Sequence, residues 1–404
     1  MVCTLKFSGS GSVFKADGLS KLDFEYVPPR LPHREKYVEE LVNFLRAIID
    51  TPGAISQRAL IIGRSGTGKT VTAKKTGEVI ERIATNKGLK LKYVHVNCRT
   101  TNSKFALVQR IIHQAAPSLP VRGYSPMELL YGLWDFLNEN NMFLILTLDE
   151  IDYFIRNTGE DIIYELTRLT DEVRNVPQRI NFIFIARSGS FMEGLSLSTM
   201  SRFRPHERFE FPPYEESQIR DILRDRVSEA FNEGCVSEDI IGFIAKNTSK
   251  YGFGDARYAI QLLLVAGLIA DRDHSPLILP EHVREAQDKT DPKLRDEDIV
   301  LLSKHQKLLL LALAKALKER RESVFLPLEI IEENYKVLCE EYNESAVGRV
   351  MLHSLINELK ATGIILVDEK FRLGLGGVKA EVLERFLEGF MAGREGDRWL
   401  RGRT

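Results

Sequence analysis

Gly63-Arg64-Ser65-Gly66-Thr67-Gly68-Lys69-Thr70 matches the phosphate-binding pattern G-x-x-x-x-G-K-[ST] in full. It follows the apolar run Ala59-Leu60-Ile61-Ile62 and opens into Val71-Thr72-Ala73-Lys74-Lys75, so it stands where a strand turns into a helix. That context gives the motif its physics. Glycines let the backbone wrap tightly, and the loop N–H groups with the helix N-terminus face phosphate oxygens. Lys69 reaches the β and γ oxygens, while the Thr70 hydroxyl ligates Mg²⁺. Gly63, Ser65, Gly66, Thr67, Gly68, Lys69, Thr70 and Val71 are therefore the expected contacts of a nucleoside triphosphate, ATP or ADP.

Hydrolysis needs a second element. Met142-Phe143-Leu144-Ile145-Leu146-Thr147-Leu148 reads as a buried strand that ends in Asp149-Glu150-Ile151-Asp152. An acidic pair at the carboxyl end of a strand suits metal-assisted hydrolysis, with Asp149 holding hydrated Mg²⁺ and Glu150 polarising the attacking water. Alternation points Asp152 elsewhere, and a solvated or capping role is expected for it.

Composition sets the class. The 404 residues suffice for two or three domains, and net charge is −1. Cys3, Cys98, Cys235 and Cys339 are scattered without a C-x-x-C pair, against structural zinc and a disulfide framework. The start of the chain carries no signal-peptide pattern, and lysines break the longest apolar runs below membrane-spanning length. A reducing cytoplasmic setting with no membrane partner is the expectation.

Charge is unevenly spread. From Arg82 to Met127 no Asp or Glu occurs, while Arg82, Lys87, Lys90, Lys92, Arg99, Lys104, Arg110 and Arg122 do. Such a stretch presents a positive field to a polyanion, or its cations face acids elsewhere in the fold; charge alone does not separate the two.

Residues 1–30 read as an irregular lead-in, followed by an amphipathic helix from Tyr37 to Ile49. Strands at 58–62, 91–97, 142–148 and 180–186 alternate with helices at 70–86, 103–116, 126–140 and 160–174, the pattern of a parallel sheet covered by helices. After Phe211-Pro212-Pro213-Tyr214 strand character vanishes, and helices follow at 215–232, 237–249, 254–271 and 280–289. Asp288 to Asp298 is a charged junction. Beyond it, helices at 303–320, 327–342 and 345–362 lead into Ile364-Ile365-Leu366-Val367, a turn at Asp368-Glu369-Lys370, and Phe371-Arg372-Leu373. Three helices and a hairpin outline a winged helix. The reading is an α/β nucleotide-binding domain over 1–211, an all-α lid domain over 212–290 and a winged-helix domain over 299–404.

The order of these elements resembles the AAA+ ATPases of the archaeal replication-initiator family, related to origin recognition complex subunit one and cell division control protein six. The resemblance rests on Leu31-Pro32-His33-Arg34-Glu35, the phosphate loop, Asp149-Glu150, Phe211-Pro212-Pro213-Tyr214, Gly254-Asp255-Ala256-Arg257 and the winged helix, and covers nearly the whole chain. It implies that Leu31 to Arg34, with Tyr214, close the base pocket. It also implies that Arg257 is a second sensor reaching the γ-phosphate from the lid, with nucleotide between the α/β domain and that lid. Ser201-Arg202-Phe203 resembles the segment that offers an arginine finger, and Arg204 and Arg208 compete with Arg202 for that role.

One position departs from the family. Where a first-sensor Asn is usual, this chain reads Phe184-Ile185-Ala186-Arg187-Ser188, so slow or regulated hydrolysis is expected.

Two DNA contacts are expected. In the winged helix, Ser345, Arg349 and His353 recur at helical spacing on an outer face, with Val347, Val350, Leu355 and Leu359 inward and Lys370 and Arg372 on the wing. Residues 301–404 carry 17 basic and 16 acidic residues, so any patch there is local, and a winged helix used for protein contact is the alternative. The resemblance places a second contact in a helical insertion at about 101–122, through Arg110 and Arg122, with Pro117 to Gly123 as its tip. The function these features imply is an ATP-dependent initiator that binds double-stranded origin DNA and recruits the replicative helicase, alongside paralogous initiators. The alternatives are a nucleotide-gated transcription or replication repressor and a ring-forming machine of the clamp-loader type.

Overall fold

The computed structural model describes residues 11–290 and 302–391, apart from 102, 173–176, 363, 369 and 377; for 169–172, 202, 250, 251, 361 and 362 it describes backbone alone. The chain divides into two compact units. One comprises Glu25–Gln218 with Phe253–Ala256, the other Met1–Phe24, Ile219–Gly252 and Arg257–Thr404.

The first unit is built on five parallel strands, β1 (Arg58–Gly63), β2 (Lys90–Asn97), β3 (Met142–Asp149), β4 (Ile180–Ala186) and β5 (Glu207–Phe211), in the order β2-β3-β4-β1-β5. The central strands β1, β3 and β4 are predominantly apolar and buried along nearly their whole length because both faces are covered. Leu60, Leu144, Leu146, Phe182 and Phe184 point to one face, against helices Lys104–Ala115, Pro126–Glu139 and Asp161–Glu172. Ala59, Ile61, Phe143, Ile145, Ile183 and Ile185 point to the other, against helices Glu35–Leu45 and Lys69–Asn86. Strand β5 and helices Ile151–Thr158 and Leu197–Phe203 lie outside the sequence-based assignment. β5 is an edge strand in which Phe209 and Phe211 are buried between exposed Glu207, Arg208 and Glu210, so charge hides its apolar signal.

Strand order positions the chemistry. β4 pairs with β1 and β3 at once, with Ile62 beside Ala186 and Leu148 beside Phe184. The end of β4 thus stands between the loop that follows β1 and the acids that end β3, on the carboxyl edge where ligands of parallel sheets bind.

The second unit joins a helical part to a winged helix. Its lid helices are Glu216–Ala230, counted from Ile219, then Glu238–Tyr251, Ala256–Arg272 from Arg257, and Pro280–Thr290. The winged helix has Lys304–Glu319, Leu328–Glu341 and Arg349–Thr362, an antiparallel wing of β6 (Ile365–Val367) and β7 (Leu373–Leu375), and a further helix, Ala380–Met391. Leu326 adds a bridge to Leu373, so the wing has a third backbone partner. Of the charged junction, residues 291–298 lie outside the described residues.

Arg284 fastens the two parts together. Only 1% exposed, its guanidinium donates to Glu281 at 2.7 Å and to the carbonyls of Leu375 at 3.3 Å and Val324 at 3.4 Å. The lead-in is not loose either. Val13 N–H donates to Asp271 at 2.7 Å, and Phe14 packs on Phe231 with ring centroids 4.7 Å apart. Residues 11–24 therefore join the lid helices, whereas the sequence reading counted them with the α/β domain.

Candidate functional site

The loop after β1 is shaped by glycines where a side chain is excluded. Gly68, the residue before helix Lys69–Asn86, has φ 87°, and a Cβ there would sit 2.4 Å from the Tyr214 hydroxyl. Gly66 has φ 69°, and its Cβ position falls 1.7 Å from a carboxylate oxygen of Asp255, whose neighbour Ala256 donates its N–H to the Gly66 carbonyl at 3.0 Å. Lys69 is nearly buried and its ammonium donates to the Gly63 and Arg64 carbonyls, both at 2.6 Å. The cation is thereby held in the loop itself. Thr67 closes the turn by donating to the Arg64 carbonyl at 2.9 Å, and Ser65 is exposed.

Across the sheet edge, the Thr70 hydroxyl donates to Asp149 at 2.6 Å. His95 of β2 reaches the same carboxylate oxygen at 3.2 Å. Burial pushes the Asp149 pKa up, but the hydrogen bonds from His95 and Thr70, with Lys69 nearby, hold it below the usual carboxylate value. Asp149 is thus an ionised, 3% exposed oxygen donor beside a hydroxyl.

Glu150 has a left-handed backbone, φ 55°, at the head of helix Ile151–Thr158. For a residue with a Cβ that conformation costs about 1–2 kcal/mol, and such strain gathers at functional sites. Two guanidiniums flank its carboxylate: Arg99 at 3.6 Å and Arg187 at 3.8 Å. Asp152 takes neither of the two roles expected of it, solvated or capping. It is 5% exposed and accepts the Arg187 backbone N–H at 3.2 Å, because the helix opening at Ile151 turns it inward under the end of β4.

Arg34 lies beneath the loop. It is 2% exposed, with its guanidinium donating to the carbonyls of Thr67 at 2.9 Å, Pro212 at 2.8 Å and His33 at 3.0 Å. It also stands 3.9 Å over the Tyr214 ring and 5.3 Å over Phe211. Burial lowers its pKa and pushes Tyr214 up to about 12, so at neutral pH the phenol is neutral. Leu31 is buried and accepts the Arg34 N–H.

The remaining residues named from sequence lie on other elements. Arg257 is exposed in the first turn of helix Ala256–Arg272, in the second unit. Arg202 lies in helix Leu197–Phe203, and its side chain is outside those described. Arg208 pairs with Glu210 at 3.4 Å. Arg110 is exposed and bonds the Thr100 hydroxyl, and Arg122 is exposed in the loop between helices Lys104–Ala115 and Pro126–Glu139.

The winged helix corrects two expectations. Helix Arg349–Thr362 begins four residues later than the spacing argument assumed, so Ser345 is exposed in the preceding loop. Val350, expected inward, is 88% exposed in the first turn, while Leu355 and Leu359 are buried as anticipated and Val347 is partly buried against the same core. Arg349 pairs with Glu332 at 3.2 Å, Arg372 turns back onto Asp368 at 2.6 Å, and Lys370 is exposed. His353 packs on Phe371 with centroids 5.1 Å apart.

His95 was not named from sequence, and Arg99 and Asp255, named within the basic stretch and the Gly254 to Arg257 motif, were given no role at the site. A signal for the first existed: in Tyr93-Val94-His95-Val96-Asn97, alternation sets His95 on the polar side of a strand that ends beside the acids.

Comparison with known proteins agrees with this architecture. Residues 56–191 match the model of an AAA domain, 220–288 that of the Cdc6 AAA+ ATPase-type lid domain, and 297–376 that of the CDC6 C-terminal winged helix domain. An ORC1-type DNA replication protein 2 of Sulfolobus acidocaldarius is 37% identical, across 85% of this chain and 84% of its own length. An ORC1-type DNA replication protein of Thermococcus kodakarensis is 32% identical, across 85% and 82%. Among solved structures, Cdc6p from Pyrobaculum aerophilum aligns with a TM-score of 0.84 at 30% identity, covering 95% of this chain and all of that one. The Aeropyrum pernix ORC1 protein in complex with DNA aligns with a TM-score of 0.61 at 28% identity, covering 93% and 97%.

Proposed function

The chain belongs to the family of ORC1-type DNA replication proteins and Cdc6, AAA+ ATPases with a lid and a winged helix, and from that premise we propose that it is an ATP-dependent replication initiator. In this reading it binds origin duplex DNA and uses ATP binding and slow hydrolysis as a switch for recruiting the replicative helicase, alongside paralogous initiators. The observation that carries it is the extent of the match: relatives named as replication proteins align over 350 residues, 85% of this chain, and the lid and winged helix match their own family models. Among the described residues no helix is long and apolar enough to cross a membrane, and a nucleoid-associated location fits the DNA-binding reading.

The site's residues fit Mg²⁺ with nucleotide. Thr70 and Asp149 set two oxygens 2.6 Å apart, the hard donors this cation prefers, beside a lysine enclosed by loop carbonyls. Thr70 and Asp149 would hold the ion there, and it would supply positive charge against the negative charge of the phosphates. Lys69 exchanges its carbonyl partners for phosphate oxygens, and the glycine backbone supplies N–H groups to the others. Glu150 accepts hydrogen bonds from the attacking water and orients it.

Hydrolysis is slow in this reading because Arg187 stands where an amide would hold that water, and because it draws on the Glu150 carboxylate from 3.8 Å. Arg187→Asn is expected to raise single-turnover ATP hydrolysis about tenfold, a barrier change of roughly 1.4 kcal/mol. A fall in rate would instead make Arg187 a catalytic group on the phosphate.

The DNA reading is tested with labelled duplexes from the organism's replication origins against matched random duplexes over a salt series. Origin preference should weaken by about 1–3 kcal/mol in Arg349→Ala, whose 67% exposed side chain can leave Glu332 for a base edge. Equal binding to all duplexes, with a steep salt slope, would reduce the winged helix to a non-specific clamp. Binding to none would exclude the initiator reading.

A further inference from the structure

The outer face of helix Arg349–Thr362 has an unusual chemistry. Leu352, Leu355, Ile356 and Leu359 point into the core, which leaves Val350, Ser354 and Asn357 along the opposite stripe with half-buried His353 beside it. Val350 is 88% exposed and its neighbour Met351 55%, so the helix presents two apolar side chains in its first turn, where groove-entering helices meet base edges. Two features of this face suit a polyanion. From Ser345 to Asn357 the sequence holds no Asp or Glu, and exposed Arg349 and Lys370 flank the apolar pair on the helix and on the wing. The helix also turns its positive dipole end outward here.

Resting on the DNA reading above, we propose that Val350, with Met351 beside it, reads thymine C5-methyl groups in the major groove and so makes a thymine part of the recognised site. The thymine methyl is the one alkyl group on the base edges of the major groove, where hydrogen-bond donors and acceptors make up most of the rest. An isopropyl group pressed onto those would desolvate them without offering a bond. Pressed onto a thymine methyl it removes apolar surface from water at no such cost. His353 is held in place against Phe371 of the wing, so the stripe is a fixed surface at the point where helix and wing meet.

Selection from a random duplex pool with the full chain and ATP gives a preferred site. That site is then synthesised with each thymine replaced singly by deoxyuridine, which deletes the methyl and leaves base pairing intact. At one or two positions wild-type affinity should fall about fourfold, the effect of one buried methyl-sized group. In Val350→Ala the thymine and deoxyuridine duplexes should bind equally, while Lys370→Ala weakens both alike. Val350 makes no core contact, and a thermal melt verifies that the variant is folded. Sequence-selective binding with no sensitivity to any deoxyuridine, or sensitivity that survives in Val350→Ala and in Met351→Ala, overturns this proposal and leaves the DNA reading intact. Failure to select any duplex overturns both and assigns the face to a protein partner.

Discussion

Glu150→Gln is expected to reduce ATP turnover by about 10²–10⁴, the contribution of a positioned general base, while nucleotide still binds. The reason is local. Glu150 is strained at φ 55° and directed to the carboxyl edge of the sheet, beside the Thr70–Asp149 pair that fits a metal. Glutamine keeps the shape and cannot take up the proton. Its amide also ends the attraction of Arg99 and Arg187, so those guanidiniums should become more accessible. Turnover is followed by phosphate release and binding by a fluorescent ATP analogue. Retained turnover would remove Glu150 from the mechanism, and loss of binding would make its role structural.

Arg34→Ala should cost the α/β unit about 3 kcal/mol and weaken ADP binding as well. This guanidinium satisfies three carbonyls in a 2% exposed position, and each acceptor left unpaired and buried costs about 1–3 kcal/mol, partly relieved by entering water. One of those carbonyls belongs to Thr67 in the phosphate loop, so the loop should lose its support along with the unit. Arg34→Lys should not rescue either property, because an ammonium lacks the planar fork that spans the three acceptors and stands over the Tyr214 ring. Denaturant unfolding and ADP titration read the two effects. Unchanged midpoints would show that water replaces the guanidinium without cost.

What the sequence discloses depends on whether the chemistry fixes local spacing. The phosphate loop does so within eight residues, and the acids of Asp149-Glu150 follow a strand that announces itself by seven apolar or β-branched residues, so both sites are readable from the chain. Arg187 is readable too, as a departure at the end of a recognisable strand. The partners of these groups are a different matter. His95 lies 54 positions from Asp149, and the two meet because β2 pairs with β3 in register; helical and strand periodicity carry no pairing information. Arg99 reaches Glu150 for the same reason. Asp152 escapes because the strand period stops at Asp149 and a helix begins two residues later. Val350 is misplaced by helical phase: at 3.6 residues per turn it lies about 140° around the helix from Leu355 and about 180° from Leu359, so the face that buries those two leaves it exposed. Arg284 is indistinguishable in sequence from a surface arginine on a polar helix, and only the packing of lid against wing buries it.

The central claim is that nucleotide state governs the grip on origin DNA. The most direct measurement is equilibrium binding of an origin duplex to Glu150→Gln held with ATP and to wild type held with ADP, at one salt concentration. The account predicts that the ATP form binds about tenfold more tightly, a coupling of ordinary allosteric size. Superimposable isotherms would contradict it and leave a DNA-binding protein whose ATPase serves another purpose.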